Sequence, residues 1–157
     1  MAIMGFKNEE KLTKWQQLKM KSKVVQSVDL DFDGEIFSVE VQSVSQSTLD
    51  AINEKYDDKK TARPRQFMKE IKKYVDFPED SKEYLDWQKE NKVIESLRMA
   101  ELALAFLVEK PDGDTVEDQI IELRNTLRPG DFVKIIQGGY TACGFDMNEA
   151  IEEAKNS

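Results

Sequence analysis

Hydrophobic residues between Asp80 and Val108 recur with the period of an α-helix. They lie at spacings of three, seven, three and seven residues: Tyr84, Trp87, Ile94, Leu97 and Leu104. This spacing places one apolar stripe along a helix, and the segment contains neither proline nor glycine. Asp80 is a suitable N-cap residue, and Glu83 lies three positions later, as in a capping box. We therefore predict one long helix over about residues 80–108.

The C-terminal end of this predicted helix is apolar on every side. Residues 102–108 read LALAFLV, and a helix that is apolar all round is expected to be buried all round. The run is shorter than the roughly 20 apolar residues that a membrane-spanning helix needs. We therefore expect Leu97, Leu104 and Phe106 to be strongly buried. Exposure of this run would instead indicate an interface between copies of the chain, so a homo-oligomer stays open.

Residues 24–42 show the alternation that is typical of β-strands. Apolar residues occupy every second position on both sides of a turn signal: Val28, Leu30, Phe32, Phe37, Val39 and Val41. Asp33-Gly34 is that signal, and it predicts a two-residue turn of type I′. With the turn there, Leu30 pairs with Phe37 and the apolar residues share one face. An isolated hairpin is marginally stable in water, so this face must pack on helices.

The same segment also matches the pattern of a calcium-binding loop. Its ligands would be Asp29, Asp31, Asp33 and Glu40, with Gly34 at the sharp turn. Phe37 occupies the ninth position, where it cannot help to bind a cation, and the flanking segments are poor helix material. The hairpin is the preferred interpretation because strand register accounts for the same residues. A calcium-binding module is the alternative, and we expect no other metal or cofactor.

Further helices are predicted on both sides of these elements. Their segments carry caps or helical spacing: an N-terminal helix at 8–22 capped by Asn8, one at 47–56 capped by Ser47, one capped by Thr115, one opening at Asp131, and an acidic one at 147–155. The prediction is a mainly α (α+β) fold in a single domain of residues 1–157. A helical bundle around the long central helix forms the core over 80–155, with one N-terminal antiparallel β-hairpin at 24–42.

Three smaller patterns favour packing over chemistry. Gly138-Gly139 lies within a predicted helix, without the surroundings of a phosphate-binding loop, and indicates close helix packing or an early helix end. Arg98 and Glu101 are predicted to form an i,i+3 ion pair at the edge of the core. Trp15 and Trp87 are predicted to anchor the core.

A basic stretch at 59–73 stands out in an otherwise acidic chain. Its cations oppose a single acid, Glu70: Lys59, Lys60, Arg63, Arg65, Lys69, Lys72 and Lys73. One interpretation is an exposed, mobile loop. The other is a docking patch for an acidic partner, with Arg63, Arg65, Lys69, Lys72 and Lys73 as the candidate binding residues. The spacing of Phe67, Ile71 and Tyr74 predicts that the second half of the stretch is helical.

Composition narrows the function. The chain of 157 residues has a net charge of -8, which argues against a nucleic-acid binder. Cys143 is the only cysteine, so no internal disulfide can form and a reducing cytoplasm is expected. The N-terminus lacks the apolar region of a signal peptide, and we expect no membrane association. With no histidine and no nucleophile, zinc or phosphate-loop pattern, the sequence favours a non-enzymatic protein.

Four stretches together resemble the tail assembly chaperones of long-tailed bacteriophages and prophage elements. They are EIFSVEVQSVSQSTLDAI at 35–52, VDFPEDSKEYLDWQ at 75–88, AELALAFL at 100–107 and LRPGDFVKIIQGGYTACGF at 127–145. They read in turn as a strand with a polar break and a helix, an extended proline segment opening a long helix, an apolar stretch before a loop with proline, and a leucine followed by a proline-glycine-acid step, a helix and a small-residue end.

This resemblance implies a helical protein in the cytoplasm of the producing bacterium. It would keep the long, aggregation-prone tape measure protein soluble and hand it to tail tube protein subunits. The family is not enzymatic, so the resemblance implies no catalytic residues. The N-terminal helix around Trp15 lies outside the pattern.

Overall fold

A computed structural model describes residues 11–145 of the chain. Within them, the elements in chain order are α1 (Lys14–Lys19), β1 (Val25–Phe32), β2 (Glu35–Gln42), α2 (Gln46–Asp57), β3 (Arg65–Met68), β4 (Lys73–Asp76), α3 (Lys82–Phe106), α4 (Val116–Thr126) and α5 (Pro129–Ala142). Each pair of strands forms its own antiparallel sheet, β1 with β2 and β3 with β4. The fold is therefore α+β, with a hairpin near the N-terminus and another in the middle of the described chain.

Helix α3 is the predicted long helix, with 25 residues. Its N-cap is Ser81 and not the predicted Asp80. The Ser81 hydroxyl accepts a hydrogen bond from the Tyr84 backbone N–H at 3.2 Å and donates one to the Pro78 carbonyl at 2.6 Å. The hydroxyl thus joins the proline turn to the helix, and a carboxylate could not donate the second bond.

The C-terminal half of α3 lies at the centre of the core. Leu104 and Phe106 are 4% and 0% exposed, as predicted. Leu97 is only partly buried, and Val108 lies past the helix end and is exposed, so the predicted burial does not extend over the whole run. The other buried side chains come from β1, β2 and the remaining longer helices: Leu30, Val41, Leu49, Ile52, Tyr56, Ile120, Leu123 and Ile135.

The hairpin β1–β2 has the predicted register. Leu30 pairs with Phe37 and Phe32 with Glu35, which leaves Asp33 and Gly34 as the turn. Both turn residues have positive φ, 56° and 90°, which a type I′ turn requires. Leu107 adds to the sheet, because the Val108 backbone N–H donates to the Glu40 carbonyl at 3.0 Å. This bond fixes the end of α3 on the sheet.

The two adjacent glycines of α5 allow close packing, as predicted. A Cβ atom on Gly139 would lie 2.2 Å from the Phe106 ring, and one on Gly138 would lie 2.4 Å from Val28 Cγ2. Helix α5 therefore touches α3 on one side and β1 on the other with almost no side chain between. Because glycine has no side chain, the Phe106 ring can fill the space beside the α5 backbone at Gly139.

The second hairpin corrects the prediction of a helix in this stretch. Phe67 pairs with Tyr74 across β3 and β4, and Ile71 lies in the connection, where Lys72 has a positive φ of 51°. The spacing of three to four residues that suggested a helix therefore comes from a cross-strand aromatic pair and a turn residue.

Several helix starts also differ from the prediction. Helix α2 is capped by Ser45 in place of Ser47, and α1 is a short helix capped by Thr13. Thr115 caps α4 as predicted, whereas α5 begins at Pro129, before Asp131. Trp15 is 66% exposed and does not anchor the core. The cap at Asn8 and the predicted acidic helix at 147–155 lie outside the described residues.

The contact between Gly139 and Phe106 can be tested by substitution. We expect Gly139→Ala to lower the free energy of unfolding by roughly 1–3 kcal/mol, because the added methyl group overlaps the ring. Gly130→Ala is the matched control, since a Cβ atom there meets nothing within 4 Å. Urea unfolding of both variants measures the difference. Equal stability of the two variants would contradict the close packing.

Candidate functional site

A groove runs along the outward face of α3, beside the end of α4 and the start of α5. It consists of two adjoining cavities of about 430 Å³ and 380 Å³, which share Lys92, Ser96 and Arg124 as lining residues. We call it the α3 groove, lined by Leu85, Gln88, Lys89, Lys92, Val93, Glu95, Ser96, Met99, Arg124, Leu127, Pro129 and Phe132.

The spacing of the lining residues on α3 explains why the groove is continuous. Positions 85, 89, 92, 93, 96 and 99 follow steps of three and four, which place them on one face of the helix. From Leu85 to Met99 this face is roughly 21 Å long, at 1.5 Å of rise per residue. The groove therefore extends over about four turns of α3.

The groove has an apolar floor. Leu85 and Val93 are 50% and 47% exposed although both are aliphatic. At the other end, Leu127 and Phe132 are partly buried against the core and present their remaining surface to the cavity. Burial of these apolar side chains by a bound partner would be favourable.

Cations line the groove beside its apolar floor. Lys89, Lys92 and Arg124 are exposed and form no ion pair among residues 11–145. Glu95 is the one acid in the lining, and its carboxylate is already paired with two cations. The groove is therefore a locally positive surface on a chain with a net charge of -8.

A polar network holds the groove-bearing part of α3 against α2. Arg98 Nε donates to Glu95 Oε1 at 2.7 Å, and Arg98 also donates to Asn53 Oδ1 at 3.0 Å. Lys60 Nζ lies 2.9 Å from Glu95 Oε2. The hydrogen bond from Arg98, with the one from Lys60, lowers the pKa of Glu95 to about 2 despite its partial burial.

The predicted Arg98–Glu101 ion pair is wrong, because each residue has another partner. Arg98 binds Glu95, one turn earlier on α3. Glu101 is buried and accepts hydrogen bonds from Lys55 Nζ at 2.7 Å and from the Tyr56 hydroxyl at 3.3 Å. Both partners lie on α2, so Glu101 holds that helix against α3, as Arg98 does through Asn53.

The predicted partner-binding cations lie at and beside β3–β4, and only some are free to bind a partner. The Arg63 guanidinium lies 4.7 Å over the Tyr84 ring, and Arg65 Nε lies 3.4 Å from Asp76 Oδ1. Lys69, Lys72 and Lys73 are exposed and form no ion pair within the described part of the chain. Arg63 and Arg65 thus hold the hairpin in place, and the three lysines are its exposed cations.

The candidate calcium ligands lie along the β1–β2 hairpin. Asp29 Oδ1 accepts a hydrogen bond from Ser38 Oγ, and Asp31 Oδ1 accepts one from the Gly34 backbone N–H at 2.7 Å. Asp33 is in the turn and Glu40 pairs with Ser27 on the opposite strand. Residues 11–145 contain no cluster of three or more His, Cys, Asp or Glu side chains placed to hold a metal ion.

Sequence reasoning missed the groove, although part of its signal was present. The apolar stripe of Tyr84, Trp87 and Ile94 drew attention to the buried side of α3. Leu85 and Val93 lie on another side, spaced eight residues apart with Lys89 and Lys92 between them. A second apolar stripe bordered by cations on one long helix was the available signal.

Comparisons with models of protein families, with curated proteins and with solved structures found no match to this chain. Among the described residues, no helix is long and apolar enough to cross a membrane.

The Glu95 network predicts a pH-dependent contribution to stability. The pKa of Glu95 is lowered from 4.5 to about 2 in the folded chain. Its ion pairs therefore stabilise the fold fully above about pH 4.5, and this contribution is lost as the pH falls toward 2.

Glu95→Gln tests this dependence. We expect the variant to be roughly 1 kcal/mol less stable than the wild type at pH 7, since the pair is partly exposed to solvent. The difference should shrink in urea unfolding at pH 3. Glu90→Gln is the control, because Glu90 is exposed and forms no ion pair within residues 11–145. A difference independent of pH would contradict the role of the carboxylate.

Proposed function

We propose that this chain is a non-enzymatic tail assembly chaperone of a long-tailed phage or prophage, acting in the cytoplasm of the producing bacterium. It keeps the tape measure protein soluble by binding helical segments of it in the α3 groove, and releases them when tail tube protein subunits assemble. The observation that carries this proposal is the groove itself, an apolar strip bordered by cations on a chain with a net charge of -8.

The dimensions of the groove suit a helical client. A helix with its side chains is about 10–12 Å wide, and the roughly 21 Å of exposed α3 face would contact about four turns of it. An amphipathic helix could place its apolar residues against Leu85, Val93 and Met99. Helix-in-groove recognition of this kind uses anchors at i, i+3 or i+4, and i+7.

The cations select among such helices. Lys89, Lys92 and Arg124 would lie beside the flanks of a bound helix, where acidic residues are favoured and basic residues are disfavoured. The preferred client segment is therefore an amphipathic helix with acidic flanks. Only a short segment is covered, so the affinity of one groove is moderate and the client can be released.

The remaining surface suits a carrier of an aggregation-prone protein. The net charge of -8 keeps the chain and its complexes dispersed by mutual repulsion. The locally positive groove lets the client bind without removing that repulsion elsewhere. The resemblance of the four stretches at 35–52, 75–88, 100–107 and 127–145 supplies the identity of the client, which the groove alone does not specify.

Polar substitution of the groove floor tests the proposal. Leu85→Gln with Val93→Gln removes two exposed aliphatic side chains that a bound helix would cover. Burial of half of each side chain is worth roughly 1 kcal/mol, so the pair should weaken client binding by about 2 kcal/mol, or roughly 30-fold. Because both side chains are half exposed, we expect the melting temperature to change little.

The matched control is Ile121→Gln with Val133→Gln. These residues are also an exposed pair of one larger aliphatic residue and one valine, on α4 and α5, and neither lines the groove. Each variant is co-expressed with the tape measure protein that we expect to be encoded beside this chain, and the soluble fraction of that protein is measured. The wild type and the control should keep it soluble and the groove variant should not. A tape measure protein that is equally insoluble with and without the wild-type chain would contradict the function, and equal solubility with both variants would contradict the groove.

A further inference from the structure

We propose that strand β2 is a docking edge for an extended segment of a partner protein, which adds as a further strand beside residues 36–38. The segment places apolar residues in a cavity at this edge and carries lysine or arginine residues that face its acidic rim. In such β-strand addition, backbone hydrogen bonds supply affinity and side-chain pockets supply specificity. The proposed function does not enter this inference, which depends on free backbone groups, a cavity and charge.

Alternate residues of β2 direct their backbone groups away from β1, toward what we call the outer edge. The Glu40 carbonyl accepts a hydrogen bond at this edge from the Val108 backbone N–H, at 3.0 Å. The register of β2 with β1 runs without a bulge, and successive residues of an antiparallel strand bond alternately to one side and the other. Ile36 and Ser38 therefore direct their N–H and carbonyl groups to the outer edge, as Glu40 does.

The chain that follows α3 fills only part of the outer edge. Residues 107–108 pair with β2 at residues 40–41, and the chain then continues through Pro111 toward α4. Across residues 11–145, the outward backbone groups of Ile36 and Ser38 have no hydrogen-bond partner. Unpaired groups of this kind along a strand are a template for pairing with another chain.

A cavity of about 530 Å³ lies beside the place where this pairing stops. Its walls include Ser38 of β2 and residues 109–111 of the departing chain. Its apolar lining comes from several elements: Leu30, Leu107, Leu123, Leu127 and Ile135. Its volume is in the usual range of binding pockets, roughly 300–1,000 Å³. A strand added at the outer edge would thus have apolar space for side chains on one of its faces.

The rim of this cavity is acidic. Glu40 and Glu109 line it, are exposed, and form no ion pair in the part of the chain that the structure describes. Lys110 also lines it, but its ammonium group donates to the carbonyls of Leu104 and Leu107, where it offsets the negative end of α3. A bound segment therefore meets two uncompensated carboxylates, which favour lysine or arginine beside its apolar residues.

An extended segment fits this site better than other occupants do. A helix uses its own backbone N–H groups internally, so it cannot pair with Ile36 and Ser38. A small ligand could fill the cavity, but Ile36 is not among the lining residues and would stay unpaired. A second copy that paired through the same strand would bring two acidic rims together, and like charges repel each other.

Hydrogen exchange of the full chain, followed residue by residue by NMR, tests the pairing. The probe is a peptide of about nine residues, near the usual length of a strand, with valine and lysine in alternation. In the free chain, the amide protons of Ile36 and Ser38 should exchange quickly, and those of Phe37 and Val39, which face β1, should be protected. Saturating peptide should slow exchange at Ile36 and Ser38 by roughly tenfold or more, because each amide gains a hydrogen-bond partner.

Two N-methylated forms of the peptide separate backbone pairing from attraction by charge. One form carries methyl groups on the valine nitrogens and the other on the lysine nitrogens, so each lacks the N–H groups along one edge of the peptide strand. Only one edge of an added strand faces β2. One form should therefore bind like the unmodified peptide, and the other should not bind. Equal affinity of all three peptides would overturn the proposal.

Substitutions at the rim test the contribution of charge. Glu40→Gln with Glu109→Gln should weaken binding of the unmodified peptide by roughly three- to tenfold, as expected for two exposed ion pairs. The control is Glu54→Gln with Glu90→Gln, which changes the net charge equally at two exposed acids that do not line the cavity. The control should bind the peptide like the wild type.

Three further results would overturn the proposal. Protection of Ile36 and Ser38 in the free chain would mean that another segment or a second copy already covers the edge. Unchanged exchange at both residues with millimolar peptide would show that no strand is added. Equal weakening by the rim variant and its control would show attraction by net charge alone. The Leu85→Gln with Val93→Gln variant should bind the peptide like the wild type, so failure of this site and failure of the α3 groove are distinguishable.

Discussion

The fold depends on the contact between Phe106 and the backbone of α5 at Gly139. This contact buries the last turns of α3 among β1, β2 and the other long helices, and it leaves no space for a side chain between α3 and α5. The C-terminal half of α3 is thereby committed to the core. Its N-terminal half extends beyond the best-buried region, and residues such as Leu85 and Val93 keep apolar surface that no other described element covers.

Paired and unpaired charges lie in different parts of the described structure. Three partly or fully buried acids of α3 and α5 are paired: Glu95 with Arg98 and Lys60, Glu101 with Lys55, and Asp131 with Arg128. These pairs hold α2 against α3 and fix the start of α5, so they are not available to a partner. Lys89, Lys92 and Arg124 in the groove, and Lys69, Lys72 and Lys73 on β3–β4 and its connection, form no ion pair within residues 11–145. A chain with a net charge of -8 therefore carries two positively charged surfaces.

The sequence predicted best the helices and strands whose hydrophobic residues recur with one clear period. The stripe along α3 and the register of β1–β2 follow from spacings that favour one arrangement, whereas Gly138-Gly139 was consistent with either close packing or an early helix end. The hairpin β3–β4 was missed because Phe67, Ile71 and Tyr74 fit a helical spacing as well as a cross-strand pair. The choice depends on where the chain turns, and Lys72, a residue without a turn preference, occupies the positive-φ position.

The partners of charged residues were harder to predict from sequence than the helices and strands. Arg98 had a suitable acid both three residues before it and three residues after it. Arg98 pairs with Glu95 because Glu101 is buried against Lys55 and Tyr56. That burial depends on the packing of α2 on α3, which local sequence does not show. The groove escaped detection for a related reason. Its two walls come from segments that are about 30 residues apart in sequence, so no local pattern contains it.

The central claim is that the α3 groove holds the client, and site-specific photocrosslinking tests it most directly. A photoreactive phenylalanine analogue is placed at position 85, 93, 121 or 133 in separate chains that are expressed with the tape measure protein. If the groove holds the client, positions 85 and 93 should form adducts with the tape measure protein, and positions 121 and 133 should form none. Equal adducts from all four positions, or adducts only from 121 and 133, would contradict it.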